Sequence, residues 1–241
     1  MAYRHFIFDL YGTLADIRTD ENDPALWENM ARFLSFQGWI ADAARLRREY
    51  VFFCRVAQQR REALNQRKGV QGPSEPDVAD VWRMMLKRHN PSDEEITQIC
   101  RLFRALSLKK LRLFPGAADV LRALRTHGRQ VYLLTNAQAV FTMPELKMLG
   151  IDAAFDGLLL SSREGVKKPS PAFFALLSRR FRLDADACLM IGNDDRCDCR
   201  GAAAAGMDSL YIRTEQSPAP SGPLPSNCRR IRRITDVMRF L

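Results

Sequence analysis

Four short apolar runs in this chain each lead to polar side chains of the kinds that carry out group-transfer chemistry. The polar positions are Asp9, Thr135, Lys168, and the cluster of Asn193, Asp194 and Asp198. A carboxylate can act as a nucleophile, a hydroxyl or amide can donate a hydrogen bond to an anion, and an ammonium can neutralise developing charge. Ligands of open α/β sheets bind outside the carboxyl ends of the strands. We therefore expect these side chains to meet at one edge of a sheet.

The apolar runs have the aromatic and β-branched character of buried strands. They cover residues 4–8, 131–134, 155–160, 187–191 and 209–212. Segments of helical character alternate with them, at residues 117–126, in a stretch that ends near Gly150, at 171–180 and at 200–205. This alternation predicts an α/β fold with a parallel sheet of five or more strands, helices on both faces, and Asp9 after the central strand.

Between the first strand and this alternating region, apolar residues recur at helical spacing from about residue 24 to 110. Leu26, Met30 and Leu34 are examples, and residues 68–74 resemble a loop. The pattern predicts roughly four helices that form an inserted domain. We therefore assign residues 1–15 and 112–241 to the α/β core and residues 16–111 to an all-helical cap domain.

The composition and charge of the chain indicate which classes of partner to expect. The chain has 241 residues, 46% of them hydrophobic, which predicts a globular protein. Its net charge is +9, but the basic residues are spread along amphipathic segments, without zinc-finger spacing or an arginine-rich tail, so we expect no nucleic-acid partner. No run has the length of a membrane span and no leader is recognised, so we expect a cytoplasmic monomer or homodimer with reduced cysteines.

The polar positions belong to segments that resemble, in order, the four motifs of the haloacid dehalogenase (HAD) superfamily. The segments are Phe8-Asp9-Leu10-Tyr11-Gly12-Thr13-Leu14, Leu133-Leu134-Thr135-Asn136, Gly165-Val166-Lys167-Lys168-Pro169-Ser170-Pro171, and Ile191-Gly192-Asn193-Asp194 with Asp198. The resemblance implies a Rossmann-like core with an inserted cap, and a hydrolase in which Asp9 is the covalent nucleophile. It also implies catalytic roles for Thr135 and Lys168, with Lys167 as the neighbouring alternative to Lys168.

The resemblance further implies a small-molecule substrate and a Mg²⁺ cofactor. The substrate contacts that we expect are Tyr11, Asn136, Arg45 and Arg48. The expected metal ligands are Asp9, the Tyr11 carbonyl, Asp194 and Asp198, the last through water, because Mg²⁺ prefers carboxylate, carbonyl and water oxygens. We expect the neighbouring Asp195 to point to solvent.

The motifs leave three reactions open. Phosphatases of the family carry a second Asp where this chain has Tyr11, and Tyr at this position resembles the 2-haloacid dehalogenases, whose halide leaving group needs no proton. The acidic fourth motif resembles metal-dependent phosphatases instead, and Phe174 stands where a dehalogenase would have Tyr. We expect Mg²⁺-dependent hydrolysis of a small phosphate ester or acyl phosphate. The alternatives are metal-independent dehalogenation of a 2-haloacid, and a weakly active relative that binds a phosphorylated ligand without turnover.

Overall fold

The computed structural model describes residues 3–39 and 42–241, and its centre is a six-stranded parallel sheet. The strands of the chain are β1 His5–Phe8, β2 Ala15–Thr19, β3 Leu108–Leu113, β4 Gln130–Thr135, β5 Gly157–Leu160, β6 Cys188–Gly192, β7 Asp208–Ile212 and β8 Cys228–Ile231. The order in the large sheet is β5-β4-β1-β6-β7-β8, and every adjacent pair is parallel. The predicted α/β fold is thus confirmed, and Asp9 follows the interior strand β1.

Helices cover both faces of this sheet. They are α5 Ala117–Thr126, α6 Ala139–Met148, α7 Ser161–Glu164, α8 Pro171–Phe181 and α9 Gly201–Ala204, with a π-helical turn at Asp195–Arg200. Because side chains alternate along a strand, Phe6 and Phe8 of β1 pack with α5 on one face, while Ile7 packs with α8 on the other. All three side chains are fully buried.

Four helices lie between β2 and β3, at α1 Pro24–Phe36, α2 Ala43–Arg67, α3 Val78–Met85 and α4 Asp93–Ser107. They enclose a separate apolar cluster in which Trp27, Tyr50, Trp82 and Phe103 pack with ring centroids 5.0–5.6 Å apart. Such aromatic contacts bury large apolar areas. We call residues 24–107 the cap. Throughout the described part of the chain, no helix is long and apolar enough to cross a membrane.

The ends of the segment that we predicted to be all-helical are strands. Strands β2 and β3 form an antiparallel ribbon that carries the chain out of the core and back, and both predicted domain boundaries fall within it. Lys110 and Arg112 of β3 contact Asp16 of β2 at 2.5 and 3.0 Å. The cross-strand ion pairs, rather than an apolar run, identify this ribbon, which explains why hydrophobic periodicity did not predict it.

Candidate active site

Asp9 lies where β1 ends, and the chain turns sharply just beyond it. The Asp9 backbone N–H donates to the Ile191 carbonyl of β6 at 2.9 Å, and the Thr13 hydroxyl donates to Asp9 Oδ2 at 3.2 Å. Gly12, in the turn between Asp9 and Thr13, has φ +82°. A β-carbon at this position would lie 2.2 Å from Asn193 Nδ2. The first and fourth motifs can therefore approach this closely only because residue 12 is glycine.

Lys168 is buried between two carboxylates. Its Nζ donates to Asp9 Oδ1 at 2.7 Å and to Asp198 Oδ1 at 2.6 Å, and only 2% of its side chain is exposed. Burial alone would lower the pKa of Lys168, but attraction from Asp198 and Asp9 outweighs it and raises that pKa. Lys168 therefore stays an ammonium. The alternative, Lys167, instead pairs with Glu75 of the cap at 2.8 Å.

Asn136 holds the backbone of Lys168 through both atoms of its amide. Its Nδ2 donates to the Lys168 carbonyl at 3.0 Å, and its Oδ1 accepts from the Lys168 N–H at 2.8 Å. The geometry thus makes Asn136 a positioning residue for the lysine, and its direct contact with substrate stays a prediction. The neighbouring Thr135 is 1% exposed, and the hydrogen bonds among the described residues leave its hydroxyl uncommitted.

The two aspartates of the fourth motif differ in their surroundings. Asp194 Oδ1 accepts from the backbone N–H groups of Arg196 and Cys197 at 2.9 Å, which begins the π-helical turn. Asp198 is 1% exposed, and its second oxygen accepts from the Asp194 N–H at 3.0 Å. Burial raises the pKa of Asp198, against the attraction of Lys168.

Asp195 does not point to solvent, contrary to expectation. It is 3% exposed, and its Oδ2 accepts from the Ser221 N–H at 3.0 Å and from the Ser221 hydroxyl at 2.5 Å. Ser221 belongs to the Pro- and Ser-rich connection after β7. Asp195 therefore fixes that connection against the fourth motif, a contact that adjacent acidic residues in the sequence do not reveal.

The catalytic candidates line a cavity of about 260 Å³. Its walls are Asp9, Tyr11, Thr135, Asn136, Lys168, Asn193, Asp194, Cys197, Asp198, Gln216 and Pro218. Gln216 and Pro218 were not predicted, because nothing in the sequence distinguishes them within a surface connection. Arg45 lies on the cap, exposed and paired with Glu49 at 2.7 Å, and Arg48 is exposed on the same helix. Neither lines the cavity, so the geometry does not support their predicted substrate contacts.

The Tyr11 side chain is engaged at the junction of core and cap. Its hydroxyl donates to Glu145 and lies 3.1 Å from Thr142 Oγ1, both on α6. Glu145 in turn accepts from Arg104 Nε of the cap helix α4 at 2.6 Å, and only 3% of the Glu145 side chain is exposed. Burial and the Glu145 charge raise the pKa of Tyr11, so the phenol stays neutral and is a poor general base.

The charges of the cavity fit a divalent cation. Asp9, Asp194 and Asp198 bring three carboxylates, while Lys168 is the single cation among the lining residues. A hard cation suits this excess of carboxylate oxygen, and Mg²⁺ needs only one or two protein carboxylates. Asp9, the Tyr11 carbonyl and Asp194 are the groups that would hold it, and Asp198, which is only 1% exposed, would contribute through water. Among residues 3–39 and 42–241, no three His, Cys, Asp or Glu side chains form a ready-made metal cluster.

Known proteins share both the sequence pattern and the fold. The haloacid dehalogenase-like hydrolase family matches residues 3–206. A phosphoglycolate phosphatase of Shigella sonnei is 29% identical over 222 residues, 87% of this chain and 81% of that protein. A glyceraldehyde 3-phosphate phosphatase of Pyrococcus abyssi is 35% identical over 103 residues, so the match spans 43% of each protein, less than half its length.

Solved structures agree on the fold. A 2-haloacid dehalogenase of Pseudomonas syringae pv. tomato superposes with a TM-score of 0.66 at 19% identity, over 99% of this chain and 97% of that one. The family match covers most of the sequence and includes all four motifs, so the resemblance seen in those motifs is confirmed. The chain belongs to the haloacid dehalogenase-like hydrolases.

Proposed function

We propose that this hydrolase is a Mg²⁺-dependent phosphatase of small phosphate esters or acyl phosphates, with Asp9 as its nucleophile. An Asp9 oxygen would attack phosphorus, the bond from phosphorus to the leaving oxygen would break, and water would then hydrolyse the aspartyl phosphate. Splitting one displacement into two easier steps is the benefit of covalent catalysis. Phosphatases that act on small phosphorylated metabolites are among the relatives of the chain, which supports this reaction.

The observation that carries the proposal is the charge balance of the cavity. The ammonium of Lys168 lies within 2.7 Å of Asp9 and within 2.6 Å of Asp198, so it is already shared by two carboxylates. Asp194 adds a third negative charge at the same cavity. A dianionic phosphoryl group would be repelled by this set. Mg²⁺ bound there would neutralise phosphoryl oxygens, and Lys168 and the free Thr135 hydroxyl would contact the rest of the transferred group.

Tyr11 restricts which leaving groups depart easily. Its hydroxyl is committed to Glu145 and its raised pKa keeps it protonated, so it neither donates a proton readily nor accepts one. General acid-base assistance is typically worth about 10² to 10⁴ in rate. The proposal is therefore a phosphatase that is slow with alkyl phosphates and faster with acyl or aryl phosphates, whose leaving groups need no proton.

Tyr11 also favours a second candidate, dehalogenation of a 2-haloacid. A cation would favour binding of the substrate carboxylate in that reaction, and the one cation among the described residues that line the cavity, Lys168, is bound to Asp9 and Asp198. The cap arginines Arg45 and Arg48 do not supply another. The charge balance therefore ranks dehalogenation below phosphate hydrolysis. The third possibility, ligand binding without turnover, follows from the same lack of an acid-base group.

A panel assay separates the three. The protein is given p-nitrophenyl phosphate or 2-chloropropionate, each with Mg²⁺ and with EDTA. We expect phosphate release that needs Mg²⁺; halide release that persists in EDTA would establish the dehalogenase, and ligand binding without either product would establish the inactive relative. Asp9→Asn should lower turnover by several orders of magnitude. The exposed Asp152→Asn is the matched control and should keep wild-type turnover.

Metal binding has its own test. Calorimetry with Mg²⁺ at millimolar concentrations should give a binding signal in the wild type and a weaker one in Asp194→Asn. If the wild type gives no signal and Asp194→Asn behaves identically, the metal-dependent reaction is refuted.

A further inference from the structure

One wall of the cavity beside Asp9 comes from the connection between β7 and β8, residues 213–227. This segment is attached firmly to the core. The Thr214 hydroxyl donates to the Gly12 carbonyl at 2.9 Å, and Ser221 donates twice to the buried Asp195. A loop that is attached at two points loses little conformational freedom when a ligand binds. Its cavity-lining residues are therefore pre-organised.

Gln216, which lies between these anchors, is itself oriented by a charged partner. Its Nε2 donates to Asp16 Oδ1 at 2.7 Å. The hydrogen bond from Lys110 holds the pKa of Asp16 below its usual value, so Asp16 is ionised and can only accept. The amide nitrogen of Gln216 must then face Asp16. Its oxygen is left as an acceptor, and no hydrogen bond from the described residues satisfies it.

The charges that line the cavity disfavour a further carboxylate on the substrate. The cavity-lining side chains include three carboxylates, and the single ammonium, Lys168, is shared by two of them. With Mg²⁺ engaged by the phosphoryl group, a carboxylate on the leaving group would find no further free cation among the described lining residues, and the Gln216 oxygen could not donate to it. A hydroxyl at the same place would donate a hydrogen bond to that oxygen. The site thus discriminates between two kinds of phosphate ester.

We propose that Gln216 is a specificity-determining residue, which selects phosphate esters with a hydroxyl on the leaving group over those with a carboxylate. This proposal rests on the proposed phosphatase function. Gln216 is half-buried and its oxygen is open to solvent, so one hydrogen bond to that oxygen corresponds to about two- to tenfold in affinity. 2-Hydroxyethyl phosphate and phosphoglycolate are matched probes, because both are two-carbon alkyl phosphates and the first has a hydroxymethyl group where the second has a carboxylate.

The experiment measures inhibition constants of these two compounds against Mg²⁺-dependent hydrolysis of p-nitrophenyl phosphate, so it does not depend on slow alkyl-ester turnover. In the wild type, 2-hydroxyethyl phosphate should bind about two- to tenfold more tightly than phosphoglycolate. Gln216→Leu keeps the approximate size and removes the acceptor, so the ratio of the two constants should fall to the part that the cavity carboxylates alone contribute. Gln216→Lys supplies an ammonium and should reverse the preference.

Ala219→Ser is the matched control, since Ala219 is an exposed residue of the same segment that neither anchors it nor lines the cavity. Its ratio should remain that of the wild type, and a merely structural role of Gln216 would not reverse the preference in Gln216→Lys. A wild-type ratio near one, or a ratio unchanged in both Gln216 variants, overturns the specificity proposal alone. If the wild type hydrolyses no p-nitrophenyl phosphate, the phosphatase function fails and this proposal fails with it.

Discussion

Replacement of Arg104 by Met should destabilise the protein strongly, because Arg104 neutralises a buried carboxylate where cap and core meet. Glu145 is 3% exposed and Arg104 is 15% exposed, and their contact is 2.6 Å. Removing one partner of a buried ion pair typically costs about 3–5 kcal/mol, since the other charge is left buried and uncompensated. Tyr11 still donates to Glu145 in the variant, which offsets part of this cost. We therefore expect a loss near the lower figure, about 3 kcal/mol.

Urea unfolding followed by circular dichroism measures this free energy. The double variant Arg104→Met with Glu145→Gln removes both charges and keeps a partner for Tyr11, so it should be more stable than Arg104→Met alone. Arg83→Met is the control, because Arg83 pairs with Asp93 on the surface, where side-chain exposure is 43% and 91%. Such surface pairs contribute about 1 kcal/mol or less. An Arg104→Met loss no larger than that of Arg83→Met would refute the reasoning.

Three further outcomes follow from the site. Tyr11→Asp should raise turnover of alkyl phosphates relative to p-nitrophenyl phosphate, by up to about 10², as measured by the ratio of the two kcat/KM values. Asn136→Ala releases the backbone of Lys168 and should lower kcat by about tenfold or more, whereas a pure substrate contact would raise KM instead. Tyr11→Phe should make the free energy of unfolding depend less on pH above about pH 10. Folding raises the pKa of Tyr11. The stability that the protonated phenol contributes is therefore fully present below the pKa of the unfolded state and is lost as the pH rises through the pKa of the folded state. Urea midpoints at pH 8 and 10.5 check this last outcome.

The sequence was sufficient for the buried strands and insufficient for the exposed ones. Strands such as β4 and β6 are covered on both faces and therefore appear as continuous apolar runs. The edge strand β8 has two exposed arginines among its four residues, and the ribbon strand β3 contains three basic residues. Neither has an apolar run. Their positions depend on pairing with segments that are distant in sequence, which single-sequence patterns do not contain.

The sequence likewise predicted some residues of the candidate site and not others. Asp9, Lys168 and Asp198 could be proposed from motif order, and the structure brings them within hydrogen-bonding distance. Burial favours Lys168 over Lys167 as the lysine of the site, because Lys168 is 2% exposed and Lys167 is 33% exposed. The hydrogen bond between Gln216 and Asp16 could not be inferred, since these residues are 200 positions apart and connect strand β2 to the segment after β7.

Tyr11 connects two charge networks that are otherwise separate. Tyr11 lines the same cavity as Asp9, whereas its hydroxyl donates to Glu145, which in turn accepts from Arg104 of the cap. An aspartate at position 11 is shorter and has no hydroxyl to donate to Glu145. Gaining a general acid there would therefore remove one contact between core and cap. Tyr11→Asp should accordingly combine faster alkyl-phosphate turnover with a lower free energy of unfolding, which is the trade-off expected when one side chain cannot serve both networks.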